Sequence, residues 1–150
     1  RVGELFPPLV GQDAHGESGH LYDFAGDAPV VLDLSTVWCG ICRELSGWLA
    51  GATDAGFAPL ELRDAVDDGR VRWITVLSED SAGGPADLQD VRDWDASFPH
   101  ARVPVLLDAD ARTAHYLRAF GYPRLVLLDA DLRIVAHDLS YNETMALAVP

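Results

Sequence analysis

The sequence predicts an α/β fold, a mixed central sheet flanked by helices and entered through an N-terminal hairpin. Three observations carry the prediction. The run Val30-Val31-Leu32-Asp33-Leu34 is apolar and β-branched, the composition of a strand buried on both faces. Strand-length apolar runs then alternate with stretches of helical period through the middle of the chain. Last, a strand, an Asp-Ala-Asp turn, a second strand and a helix close the chain, which makes the sheet mixed rather than purely parallel.

Along the chain, Gly11 to Gly19 reads as a turn between two short strands, and Leu21-Tyr22-Asp23-Phe24 as a short turn packed on the domain. His15 and His20 lie in or beside this polar loop and are expected in solvent. Pro29 to Ser35 is the first central strand. A helix is expected from Gly40, with Ile41, Leu45, Trp48 and Leu49 on its apolar face, fraying near 51–56. Leu60 to Val66 forms a second helix, with Gly69 as its C-cap. Arg70 to Leu77 reads as a strand. Pro85 suits a helix start, and Leu88, Val91 and Trp94 give that helix its stripe to about Phe98. Val103 to Leu107 is a strand that begins at, or lies at an edge because of, Pro104. Ala111 to Phe120 is a short helix, with Ala114, Tyr116 or Leu117, and Phe120 available for burial. Arg124 to Leu128 and Leu132 to Ala136 form a hairpin. Ser140 and Glu143 fit a capping box at the head of a last helix, Tyr141 to Val149. The word Val-Leu-Leu-Asp-Ala-Asp occurs at 105–110 and again at 126–131. A repeated strand-turn solution accounts for it, since an EF-hand's ligand count and glycine are missing.

Composition bounds the function. The 150 residues suit a single domain, 1–150, with a real core, and 49% hydrophobic with 23% charged residues fits a globular chain. A net charge of −13 argues against nucleic acid and disfavours an anionic membrane surface. No run approaches the roughly 20 apolar residues of a membrane span. The chain begins at Arg1 rather than Met, the start expected of a mature or trimmed form, so the reading allows for a signal peptide or a lipid or membrane anchor removed upstream.

The chemistry concentrates at Trp38-Cys39-Gly40-Ile41-Cys42, which holds both cysteines. A Cys-x-x-Cys where a strand hands over to a helix reads as a redox pair. A thiol at a helix N-terminus faces unpaired N–H groups and the positive end of the helix dipole, which favour the reactive thiolate. A zinc site lacks further ligands, because the five histidines are scattered and no other cysteine exists. A static structural disulfide of this spacing closes too short a loop to stabilise much. Asp33 is a carboxylate inside an apolar strand. Either it is buried with a raised pKa, often a functional sign, or it faces water or the backbone at the strand end. Pro123 follows Gly121-Tyr122 and opens a strand. It is either a cis proline exposing the polar groups of Tyr122 to an extended substrate, or an ordinary trans proline.

Taken together, these residues resemble the thioredoxin-like proteins, and within them the TlpA/ResA-type thiol-disulfide oxidoreductases. The resemblance rests on Trp38-Cys39-Gly40-Ile41-Cys42, on Asp33 in its strand, on Gly121-Tyr122-Pro123 followed by Leu125-Val126-Leu127-Leu128-Asp129, and on the leader Leu21 to Gly26. It covers about residues 3 to 149, loosely between 52 and 100. It implies a thioredoxin-like fold with an inserted helix and strand. It implies that Cys39 is the exposed nucleophile and Cys42 the buried resolving thiol, with Asp33 moving the proton of Cys42. Trp38, with Gly40 and Ile41, would shape the surface that meets the partner. Pro123 would be a cis proline opposite the disulfide, with Tyr122 offering backbone contacts. Ile41 and Tyr122 depart from thioredoxin, which has proline at the first position and often threonine or valine before the late proline.

The expected function is therefore reduction of protein disulfides by a Cys39–Cys42 dithiol, with no cofactor and no metal. The partners would be a protein disulfide and an upstream electron donor, and the family resemblance suggests an extracytoplasmic location without excluding the cytoplasm. Gly40-Ile41 places no charge or imidazole between the cysteines, so the expected potential lies nearer about −270 mV than about −120 mV. The alternatives are a non-catalytic binding module on the same scaffold and a thiol peroxidase. Thr36-x-x-Cys39 echoes the peroxidase pattern, but Leu32 stands where its proline belongs and Trp38 crowds the thiol.

Overall fold

The computed structural model describes residues 1–52, 59–119 and 121–148. Expectations for 53–56, Phe120 and Val149 lie outside the described residues. Five strands form the main sheet in the order β5-β4-β3-β6-β7: β3 (Val30–Thr36), β4 (Arg72–Glu79), β5 (Val105–Leu107), β6 (Arg124–Leu128) and β7 (Ile134–His137). β3 is central. It runs parallel to β4 and antiparallel to β6, so the sheet is mixed as expected. All seven residues of β3 are buried, which is why its sequence does not alternate.

The two faces of β3 divide the core. Val30, Leu32 and Leu34 point to one side, where they meet Phe6, Leu9 and Leu21 of the N-terminal segment and Ala114 and Leu117. Val31 points to the other side, against Leu45, Trp48 and Leu49 of α1 (Gly40–Leu49) and Leu62, Ala65 and Val66 of α2 (Leu60–Asp67). Strand alternation therefore puts Asp33 on the face covered by α1.

The first residues of the chain close both edges of the sheet. The hairpin β1 (Val10–Gln12) and β2 (Ser18–His20) lies beside β5, so closely that a Cβ at Gly11 would run into the carbonyl of Leu107. At the opposite edge Ile134 N–H donates to Glu4 O at 2.9 Å and Gly3 N–H to Ile134 O at 2.7 Å. The N-terminal segment thus lies along both edge strands, a placement that shields them from pairing with another chain.

Several boundaries differ from the sequence reading. α3 spans Leu88–Ser97 rather than starting at Pro85, because Asp87 and Asp90 form a reciprocal capping box that starts the helix there. Pro85 instead bridges to Glu79. β5 starts at Val105, after Pro104, and lies at the edge of the sheet. α4 is confined to Arg112–Tyr116, since Asp110 and Ala111 have φ of 58° and 52° and break any earlier start. Leu132 takes φ 65° in the hairpin turn, so β7 begins two residues later than expected. The last helix, α5 (Tyr141–Ala148), is headed by the predicted capping box, with Ser140 N–H donating to Glu143 Oε2 at 2.8 Å.

Candidate active site

The site forms where β3 ends. After Thr36 the chain turns through Val37-Trp38, and Cys39 becomes the N-cap of α1. Cys39 and Cys42 form a disulfide, with Cα atoms 5.2 Å apart. The sulfur of Cys39 accepts the Cys42 N–H at 3.2 Å, so a helix-start donor already points at it. In this oxidised form Cys39 keeps 5% of its surface and Cys42 none. Both cysteines are thus buried in this form, where Cys39 was expected to be exposed. Gly40 is open, and a Cβ there would meet nothing within 4 Å. Trp38 and Ile41 are exposed on either side, at 50% and 54%.

Beneath the disulfide, Leu77, Val105 and the α3 residues Val91 and Trp94 form an apolar bed. Arg43, next to Cys42, lies over the rings of Trp94 and Phe98 at 5.6 and 5.4 Å and ties α1 to α3. Arg43, Trp94 and Phe98 have no sequence signal for this role, which depends on the packing of two helices.

Asp33 is fully buried in mid-strand. Its Oδ1 accepts from Ser35 Oγ at 2.9 Å and its Oδ2 from Trp73 Nε1 at 3.2 Å. Burial raises its pKa from the usual 3.8 to about 6, against the lowering effect of those two donors. Thr36, the residue of the Thr-x-x-Cys pattern, has a buried hydroxyl with no hydrogen-bond partner among the described residues.

The second wall is Tyr122-Pro123, joined by a cis peptide bond. Arg124, which follows it, pairs with Leu34 in the sheet, so the junction sits at the same end as the cysteines. Tyr122 packs against the cluster that contains both of them. Its ring meets Trp38 edge to face, with centroids 6.0 Å apart. Trp38 Nε1 in turn donates to Glu79 Oε2 at 3.3 Å. Burial raises the pKa of the Tyr122 hydroxyl, and the carboxylates of Glu79 and Asp108 add to that. Glu79 escaped the sequence reading because it is 41 residues from the indole it holds.

All the residues expected at the site are thus gathered at one end of the sheet or on the face beneath it. Among the described residues no group of three or more His, Cys, Asp or Glu side chains is placed to hold a metal ion. No helix among them is long and apolar enough to cross a membrane.

Comparison with known proteins agrees on the fold. The thioredoxin domain of a thiol-disulfide oxidoreductase from Bacteroides vulgatus superposes with a TM-score of 0.72 at 21% identity, covering 99% of this chain and 98% of that one. The exposed lipoprotein thioredoxin of Streptococcus pneumoniae gives 0.66 at 18% identity, over 93% and 94%. A secreted disulfide oxidoreductase of Mycobacterium tuberculosis, homologous to E. coli DsbE, gives 0.62 at 16% identity, over 89% and 85%. No family model matches the chain. In sequence it is 29% identical over 106 residues to an uncharacterized protein of Haemophilus influenzae, a match that takes in 71% of this chain and spans 60% of that protein's length. The chain has the thioredoxin fold.

Proposed function

We propose that this thioredoxin-fold protein is a thiol-disulfide oxidoreductase that reduces protein disulfides. The observation that carries the reading is the Cys39–Cys42 disulfide at the mouth of α1, with the Cys39 sulfur as the helix cap. In the reduced protein, Cys39 thiolate attacks a substrate disulfide, forming a mixed disulfide and releasing one substrate thiolate. Asp33 then takes the proton of Cys42, directly or through a neighbouring group. The Cys42 thiolate attacks the Cys39 sulfur, which restores the disulfide and frees the second substrate thiol. Two electrons pass from the dithiol to the substrate, and an upstream dithiol donor must return them.

Trp38, Gly40 and Ile41 form the approach surface, and Tyr122-Pro123 offers main-chain groups beside it. The TlpA/ResA-type assignment rests on the motifs of the sequence. The likeness to a secreted oxidoreductase and to an exposed lipoprotein supports a place outside the cytoplasm.

Two measurements test the reading. The reduced protein should accelerate insulin disulfide reduction, and Cys39→Ser should abolish that. Equilibration with glutathione should give a potential nearer about −270 mV than about −120 mV, and a value above about −180 mV removes the reductase direction.

A further inference from the structure

A cavity of about 390 Å³ is lined by Trp38, the residue before Cys39, and by Tyr122, its edge-to-face partner. Glu79 and His115 line it, and three alanines, Ala111, Ala114 and Ala119, form its floor. It lies at the small end of the range for ligand pockets, about 300–1,000 Å³, which suits one side chain rather than a cofactor.

We propose that this cavity is a subsite for a lysine or arginine side chain that neighbours the target cysteine in the substrate protein; the inference rests on the oxidoreductase reading above. Four features point to a cation. Glu79 is half-buried and spends one oxygen on the Trp38 indole, while a carboxylate has about four lone-pair sites and so can accept a further donor. Trp38 and Tyr122 present aromatic rings, whose faces attract cations. Among the described residues His115 is the one basic side chain that lines the cavity, and the chain contains no lysine, so no guanidinium or ammonium group on the wall competes for Glu79. A second carboxylate, Asp108, acts together with Glu79 on the Tyr122 hydroxyl, and the net charge of −13 steers cations toward the surface. The alanine floor accepts the methylene stem of a long basic side chain. An acidic side chain would meet like charge there, so the same cavity rejects as well as selects.

The test separates binding from redox chemistry. Two capped tetrapeptides carry serine in place of cysteine, one with arginine beside it and one with glutamate. They are titrated into the oxidised protein while the Trp38 indole N–H resonance is followed. The arginine peptide should shift that resonance and the glutamate peptide should not, and Glu79→Gln should remove the difference. Disulfide-linked versions given to the reduced protein should show kcat/KM about tenfold or more higher for arginine than for glutamate at low salt, the gap closing as salt screens the charges. Ala119→Leu, which fills the floor and leaves every charge in place, should narrow the same gap. Equal shifts from both peptides, or a preference unchanged in Glu79→Gln, overturn the subsite. The two readings fail separately. A charge-dependent shift without disulfide turnover keeps the subsite and removes the oxidoreductase. Equal turnover of both peptides without a selective shift does the reverse.

Discussion

Asp33 and Asp108 are both buried carboxylates in or beside apolar strand sequences, yet the structure holds them in opposite ways. Asp108 comes directly after β5 and accepts three hydrogen bonds: from Ser78 Oγ at 2.9 Å, Thr113 N–H at 2.9 Å and Ala114 N–H at 3.2 Å. Two of these donors are backbone groups at the start of α4, and a backbone N–H can only donate. Among the described residues Asp33 has two side-chain partners and no backbone donor. One of them, the Ser35 hydroxyl, can turn from donor to acceptor if the acid gains a proton. Donors of fixed polarity make Asp108 part of the scaffold. A rotatable hydroxyl and full burial, which raises the Asp33 pKa to about 6, suit Asp33 to the proton exchange proposed above. The contrast teaches that burial alone does not set what a carboxylate can do; the nature of its donors matters as much.

The largest expected effect comes from Asp33→Asn, and it breaks the comparison from one side. Asp33 has a folded pKa of about 6 against 3.8 unfolded, so folding favours its protonated form. Its stability contribution is whole below about pH 4, is lost as pH rises through about 6, and stays lost above. The shift corresponds to about 3 kcal/mol at neutral pH. Asp33→Asn should therefore raise stability by up to about 3 kcal/mol at pH 7 and by little at pH 4, read from urea unfolding at the two pH values. Turnover should move the other way, with the resolving step slowed by about 100-fold, the low end of a general base's contribution. Wild-type resolution should quicken between pH 5 and 7, by roughly the titration of a group near 6, and the variant should lose that rise. A variant that is less stable, or equally fast at every pH, would make Asp33 a structural residue like Asp108.

Asp108→Ala comes next and breaks the comparison from the other side. It leaves two backbone donors and the Ser78 hydroxyl without their acceptor, at a cost of about 2 kcal/mol. Insulin reduction by the variant that remains folded should keep its pH dependence. Loss of that dependence would place Asp108 in the proton path.

This difference was only partly legible in the sequence. The central strand, the helix after the cysteines, the closing hairpin and the last capping box emerge from period, turn residues and caps, all local properties. Cys39, Cys42, Asp33 and Pro123 stand out because their residue types are unusual where they occur. Asp108 did not stand out. It sits in Val-Leu-Leu-Asp-Ala-Asp, the word that recurs at 126–131, and both copies read as turns. The second copy is one: Asp129 Oδ1 accepts from Asp131 and Arg133 N–H at 2.9 Å. The first copy leads into a helix instead, and its carboxylate turns inward to cap it. Identical words differ here because the next residues differ, Ala111-Arg112-Thr113 in one case and Leu132-Arg133-Ile134 in the other. Glu79 and Trp73 were illegible for a related reason. Each gains its meaning from a partner about forty positions away, brought near only by the parallel pairing of β3 and β4.

The smallest effect sharpens the comparison most. Ser35→Ala removes the rotatable donor from Asp33 and leaves Trp73 in place. Because the Ser35 bond lowers the Asp33 pKa, its loss should move that pKa upward from about 6. At pH 7 the variant should be destabilised by about 1 kcal/mol, since the carboxylate loses a donor. Near pH 4, where the acid is protonated in the folded state, the difference should shrink. The pH midpoint of the resolving step should move to higher pH by the same amount as the Asp33 titration, which carboxyl NMR reads directly. Combined with Asp33→Asn, Ser35→Ala should add no further pH dependence, because the group it acts through is gone. Combined with Asp108→Ala, the stability changes should add, because the two hydrogen-bonding sets share no partner. Coupling between Ser35 and Asp108 would mean that the two carboxylates belong to one network, and that the scaffold acid also sets the proton affinity of the reactive one.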